Sequence, residues 1–174
     1  MKMLLTLTAL LLSSQVLAAT PEEVVINDFE YTNKYELALR QTKHSDKGKA
    51  FPVLLEYAKY GEKLAQYMVG TFYLSGIGTD ANPTEGLVWI GTALEQRTAE
   101  WQRTFDNITA KLPDDQKAML DDLIKKRIAL YGVQAQKMSC RNEAAVMGSN
   151  KRYHVCTKIR DGAQRVTVVK HPNS

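Results

Sequence analysis

The chain has 174 residues, with 23 lysines and arginines against 19 acidic side chains, a net charge of +4 and two cysteines. That length suits about one domain with a substantial core, and no apolar run reaches the roughly 20 residues that a membrane-spanning helix needs. The positive charge is local: from Arg141 onward there are seven basic residues (Arg141, Lys151, Arg152, Lys158, Arg160, Arg165, Lys170) and two acidic ones (Glu143, Asp161), whereas residues 20–140 carry a small acidic excess.

Residues 1–19 read as a cleavable secretory signal. Lys2 supplies the positive end, Met3 to Leu12 the apolar run, Ser13-Ser14-Gln15 a polar break, and Val16-Leu17-Ala18-Ala19 the small-residue cleavage region. Cleavage after Ala18 or Ala19 would deliver a soluble protein to the periplasm or the outside. Neither cut exposes a cysteine that could take a lipid.

Residues 21–32 form a lead-in that is extended or partly helical, and a short helix is expected from Tyr35 to the polar stretch Lys43 to Gly48. A firmer helix follows. Phe51, Leu54, Leu55 and Ala58 fall at i, i+3, i+4 and i+7, one stripe at the 3.6-residue period, and Gly61 ends it. Leu64, Ala65, Met68, Val69, Phe72 and Tyr73 repeat the spacing up to Ser75-Gly76-Ile77-Gly78, where glycines permit a tight reversal.

Asn82-Pro83 is a helix start, because Asn accepts from an unpaired amide and Pro at the first helical position loses no hydrogen bond. Leu87, Ile90, Ala93 and Leu94 line that helix, with Trp89 beside them. Trp101, Phe105, Ile108 and Leu112 line the next, Pro113 turns the chain, and Leu120, Leu123, Ile124, Ile128 and Tyr131 line the last. Residues 50–132 therefore hold at least five amphipathic helices joined by short turns.

Beyond Gly132 the texture changes. Arg152 to Ile159 and Arg165 to Val169 alternate or run β-branched around the turn signal Asp161-Gly162. The segment is either a small hairpin there or an irregular tail held by its cysteines. In an oxidising compartment Cys140 and Cys156 are most simply a disulfide. The competing reading, a catalytic thiol with His154, has no third group to orient the base.

Residues 61–94 carry a pattern that is more than amphipathic. Ala65, Gln66, Gly70, Tyr73, Gly76, Gly78, Trp89 and Ala93 stand at the spacing of A-Q-x-x-L-G-x-x-Y-x-x-G-x-G-V-x-x-D-x-x-K-A-x-x-W-x-x-K-A-A, with Val69 for Leu, Asn82 for Asp, and Thr79, Glu85, Gly86 and Leu94 as further departures. The segment closely resembles the Sel-one-like repeat (SLR), a tetratricopeptide-like helical hairpin. One such hairpin cannot bury its own face, so neighbours must stack on it.

The resemblance implies an all-α fold, a short solenoid of antiparallel helical hairpins. A helical repeat domain would cover residues 20–132, with its best repeat at 61–96 and a closing helical pair at 98–132. A small disulfide-closed tail, a β-hairpin or not, would follow at 133–174.

For function the resemblance implies a protein-interaction scaffold or regulator, which the export signal places in the periplasm; no catalytic, cofactor or metal motif accompanies it, and the expected partner is another envelope protein, with no nucleic acid, no transmembrane segment and no small-molecule ligand. The alternative is a cell-wall-related hydrolase, or an inhibitor-type protein docking through the basic tail. Candidate catalytic carboxylates are Asp114, Asp115, Asp121 and Asp122, but adjacent pairs at a helix start more commonly meet the helix dipole. His44, His154 and His171 lack any metal-binding spacing.

Overall fold

The computed structural model describes residues 20–44, 46–144, 150 and 152–172. The signal segment 1–19 and the Gly148-Ser149 turn lie outside the described residues. The described residues form six α-helices: α1 (Asp28–Gln41), α2 (Phe51–Lys59), α3 (Lys63–Ser75), α4 (Pro83–Ala93), α5 (Ala99–Thr109) and α6 (Asp114–Tyr131). Four strands accompany them: β1 (Glu22–Asn27), β2 (Met138–Ala144), β3 (Arg152–Lys158) and β4 (Arg165–Lys170). Among the described residues, no helix is long and apolar enough to cross a membrane.

The lead-in is a strand followed directly by a helix. Asn27 stops the strand by capping α1, its Oδ1 accepting from Phe29 N at 2.9 Å, and Asp28 and Glu30 place negative charge in the first turn. Helix α1 thus begins seven residues before Tyr35. Its buried positions are Tyr31 and Ala38, with Tyr35 packed beside them, and Tyr35 stacks on Tyr57 of α2 at 4.7 Å. Phe29 and Leu37 of the same helix are exposed, which is why the apolar pattern of this helix is hard to read.

Helices α3 and α4 form the central hairpin. Gly76 ends α3 in the left-handed conformation, φ 66°, so that Ile77 N reaches back to Phe72 O at 3.0 Å. Asn82 then caps α4 by accepting from Glu85 N at 3.0 Å. The two helices cross closely because neither has a side chain at the contact: a Cβ on Gly70 would lie 2.7 Å from Gly86 O. Gly86, a departure from the repeat pattern, makes that close crossing possible.

The main core joins Tyr31, Leu54, Tyr57, Ala58, Ala65, Val69, Phe72, Trp89 and Tyr131 to Val166 and Val168 of β4. A smaller cluster of Leu87, Val88 and Leu120 seats α6 on α4. The strands form two separate antiparallel pairs, β1 with β4 and β2 with β3.

The paired strands of the tail are β2 and β3, with Cys140 directly opposite Cys156, while across Asp161-Gly162 the described residues form a single antiparallel bridge, Arg160 with Val166. Asp161 does make a turn, its Oδ1 accepting from Ala163 N and Arg165 N. That turn carries the chain from one sheet to the other. Val24 and Ile26 of β1, opposite Val168 and Val166, offer β4 a more apolar partner than β3 does.

Candidate interaction cleft beneath the disulfide hairpin

Gln66 on α3 is fully buried, and its amide donates to Ala58 O at 3.0 Å and to Tyr131 O at 2.8 Å. It thereby satisfies a carbonyl near the C-terminal end of α2 and one at the end of α6. Its Oε1 accepts from the buried Lys63 ammonium at 2.9 Å, which also pairs with Glu95 at 2.8 Å. Glu95 follows α4 in the short turn Leu94–Gln96, and its carboxylate also accepts from Val133 N at 3.1 Å. Burial lowers the Lys63 pKa, and the Glu95 charge beside it opposes that shift.

A second polar knot binds the tail. The fully buried Gln136 donates to Leu130 O and Val169 O and accepts from Val169 N at 3.1 Å, so its side-chain amide acts as a third strand beside β4. Lys158 of β3 lies 4 % exposed and donates to Gln136 O at 2.6 Å and Thr167 O at 3.3 Å. Burial pushes its ammonium down to about 8, against the opposing charge of Glu62. Glu62 accepts from Tyr31 OH at 2.8 Å, and burial raises its carboxyl above the ordinary range.

Above these knots the turn after α4, the end of α6 and the β2–β3 hairpin enclose a cleft of about 840 Å³, walled by Glu95, Arg97, Ile128, Val133, Cys140 and His154 among others. Arg97 stands exposed at the rim with φ 56°, a conformation uncommon outside glycine. His154 Nδ1 is 3.2 Å from Gln96 O.

The repeat positions of the sequence divide between packing and turns. Ala65, Gln66, Gly70, Trp89 and Ala93 are buried, and Gly76 and Gly78 form the turn with positive φ. Tyr73 and Trp89 fill the space between the hairpin and its neighbouring helices. Tyr73 meets Phe51 of α2 edge-on at 5.2 Å, and Trp89 stacks on Tyr131 of α6 at 5.6 Å, with the Arg127 guanidinium 4.5 Å from its ring.

Cys140 and Cys156 are joined in a disulfide across β2 and β3. Of the candidate carboxylates, Asp114 and Asp115 sit in the exposed first turn of α6, and Asp122 pairs with Lys126 at 2.6 Å. His44 is on a turn and His171 lies against Tyr131, so the structure does not gather the histidines.

Several basic residues of the tail are engaged within the molecule. Arg160 pairs with Asp28, Arg165 with Asp161 and Arg141 with Glu143, while Lys158 is buried. Sequence reasoning missed Lys63, Glu95, Gln136 and Lys158. A signal existed for two of them: Lys63 stands three residues before Gln66, and Lys158 two after Cys156, spacings that put each pair on one face.

A solved structure shares the fold. The chain matches the crystal structure of c5321, a protective antigen of uropathogenic Escherichia coli strains displaying an SLR fold, with a TM-score of 0.50 and 23 % identity over 68 % of this chain and 27 % of that one. This chain has the SLR fold. No protein-family profile and no curated protein matches it. The SLR resemblance of residues 61–94 thus coincides with α3 and α4, and in this chain the solenoid ends in the β2–β3 hairpin and the returning strand β4.

Proposed function

We propose that the chain is an exported, periplasmic protein-interaction scaffold without chemistry of its own, and that it grips a segment of another envelope protein in the cleft beneath the disulfide hairpin. The carrying observation is the cleft itself, an open concavity of about 840 Å³ on an SLR fold, within the usual size range of binding clefts. Its walls are cross-braced: Glu95 is held by Lys63 and the Val133 amide, and β2 is joined to β3 by the disulfide. A preformed wall costs little ordering on binding. The apolar Ile128 and Val133 would take partner side chains, with Arg97 at the rim meeting an acidic group.

The signal-like residues 1–19 and the disulfide support an oxidising compartment. The internal pairing of Arg141, Arg160 and Arg165 weighs against a tail that docks by charge alone. The test is affinity capture from envelope extract with the intact protein and with Arg97→Glu. The expected result is one specific protein, recovered at least about tenfold less by the variant, as the loss of a well-placed interface arginine allows. Equal recovery by both proteins, or no specific protein with folded bait, would reject the reading.

A further inference from the structure

The hairpin wall of the cleft has a chemistry that the scaffold reading does not use. Cys140 and Cys156 face each other in the β2–β3 register. His154 is two residues from Cys156 on the same strand, so both side chains leave the same face of the sheet. One ring nitrogen of His154 and the two sulfurs all lie within 4.8 Å of one another.

We propose that the reduced hairpin is a binding site for a thiophilic d10 cation, Cu(I) or Zn(II), with Cys140 Sγ, Cys156 Sγ and the His154 ring as ligands. Two thiolates and one imidazole make a soft donor set, which suits Cu(I) with three ligands or Zn(II) with a solvent molecule from the cleft as the fourth. Glu95 is not a fourth ligand, because its carboxylate is already taken by Lys63 and the Val133 amide.

The ring is also set for the task. A carbonyl only accepts, so Gln96 O at 3.2 Å holds the proton on Nδ1 and leaves the Nε2 lone pair to the cation. Such a hydrogen bond to a backbone carbonyl is the usual outer partner of a metal-bound imidazole. Cys140 lines the cleft, which gives a reductant and a cation a way in.

The gating step balances with a dithiol as reductant. The Cys140–Cys156 bond breaks, a disulfide forms in the dithiol, and its two electrons and two protons pass to the released sulfurs. Cation binding then displaces two thiol protons to solvent. Oxidised, the hairpin offers only an imidazole; reduced, it offers all three donors.

The experiment uses purified, disulfide-intact protein, reduced with dithiothreitol and desalted without oxygen. It is titrated with Cu(I) against the chromophoric competitor bicinchoninate, and separately with Co(II) as the optical probe for the zinc geometry. The expected result is one equivalent of Cu(I) or Co(II) per chain in the reduced protein and none in the oxidised protein. His154→Ala should weaken binding by at least about tenfold, the lower end of the range for losing even an outer partner.

A Cys140→Ser, Cys156→Ser double variant should keep the helical circular dichroism and bind neither ion. No stoichiometric binding by the reduced protein would overturn the proposal. So would undiminished affinity in His154→Ala, or collapse of the helical signal on reduction.

Discussion

The α3–α4 hairpin and the segment after Gly132 are held together by different physics. The hairpin is built from neighbours: small residues at Ala65, Gly70, Gly86 and Ala93, a left-handed turn at Gly76, and a cap at Asn82. The later segment is held at a distance. Strand β4 pairs with β1 near the other end of the chain, and Gln136 and Lys158 tie it to α6 and the hairpin by buried hydrogen bonds. In the repeat, local turns and close apolar packing are supplemented by one buried amide, Gln66, whereas the return of the chain to its own beginning combines an apolar strand match with polar groups, Gln136 and Lys158, that fit one register.

The largest expected effect lies in the repeat. Trp89→Ala removes the contact with Tyr131 and the support of Arg127, and should cost about 3–5 kcal/mol in denaturant unfolding. A loss below about 1 kcal/mol would mean that α4 does not carry α6. Next comes the junction of the two regions. Glu95→Ala strands the fully buried Lys63 ammonium and should cost about 3 kcal/mol, and a second change, Lys63→Met, should recover most of it. Failure of that rescue would show that Glu95 acts through Val133 rather than through the pair.

Gln136→Ala leaves the amide and carbonyl of Val169 without their partner and should cost about 1–3 kcal/mol. Hydrogen exchange should localise the loosening to β4 and β1. Faster exchange throughout α3 and α4 instead would make the two regions one cooperative unit.

A smaller effect is a pH slope. Lys158 titrates at about 8 in the folded chain against an ordinary value of 10.5, so the unfolded chain binds more protons between those values. Stability should therefore rise as pH increases from about 8 to 9.5, and the rise should flatten in Lys158→Met. The window closes near pH 10, where the raised pKa values of Tyr31 and Tyr57 act in the opposite direction. The smallest change is Arg160→Ala, at most about 1 kcal/mol near neutral pH, because its pair with Asp28 is partly exposed.

The same contrast explains what could be read from the residues alone. Helices α2 to α6 announce themselves because their apolar stripes, caps and glycines act within four residues. The start of α1 was obscured by exposed Phe29 and Leu37. The strand pairing could not be read, since Arg152–Lys158 and Arg165–Lys170 both have β texture and nothing local says that β4 prefers Val24 and Ile26 to β3. The cleft was hidden for a related reason: Glu95, Arg97, Val133 and His154 come from three separate segments, and no local pattern links them.

The most direct test of the scaffold account is a photo-crosslinking amino acid placed at Gln134 inside the cleft and, as a control, at exposed Asp115 on α6, in living cells. The account predicts one discrete crosslinked envelope protein from position 134 and none from 115. Equal capture at both positions, or none at 134 in a folded and exported chain, would contradict it.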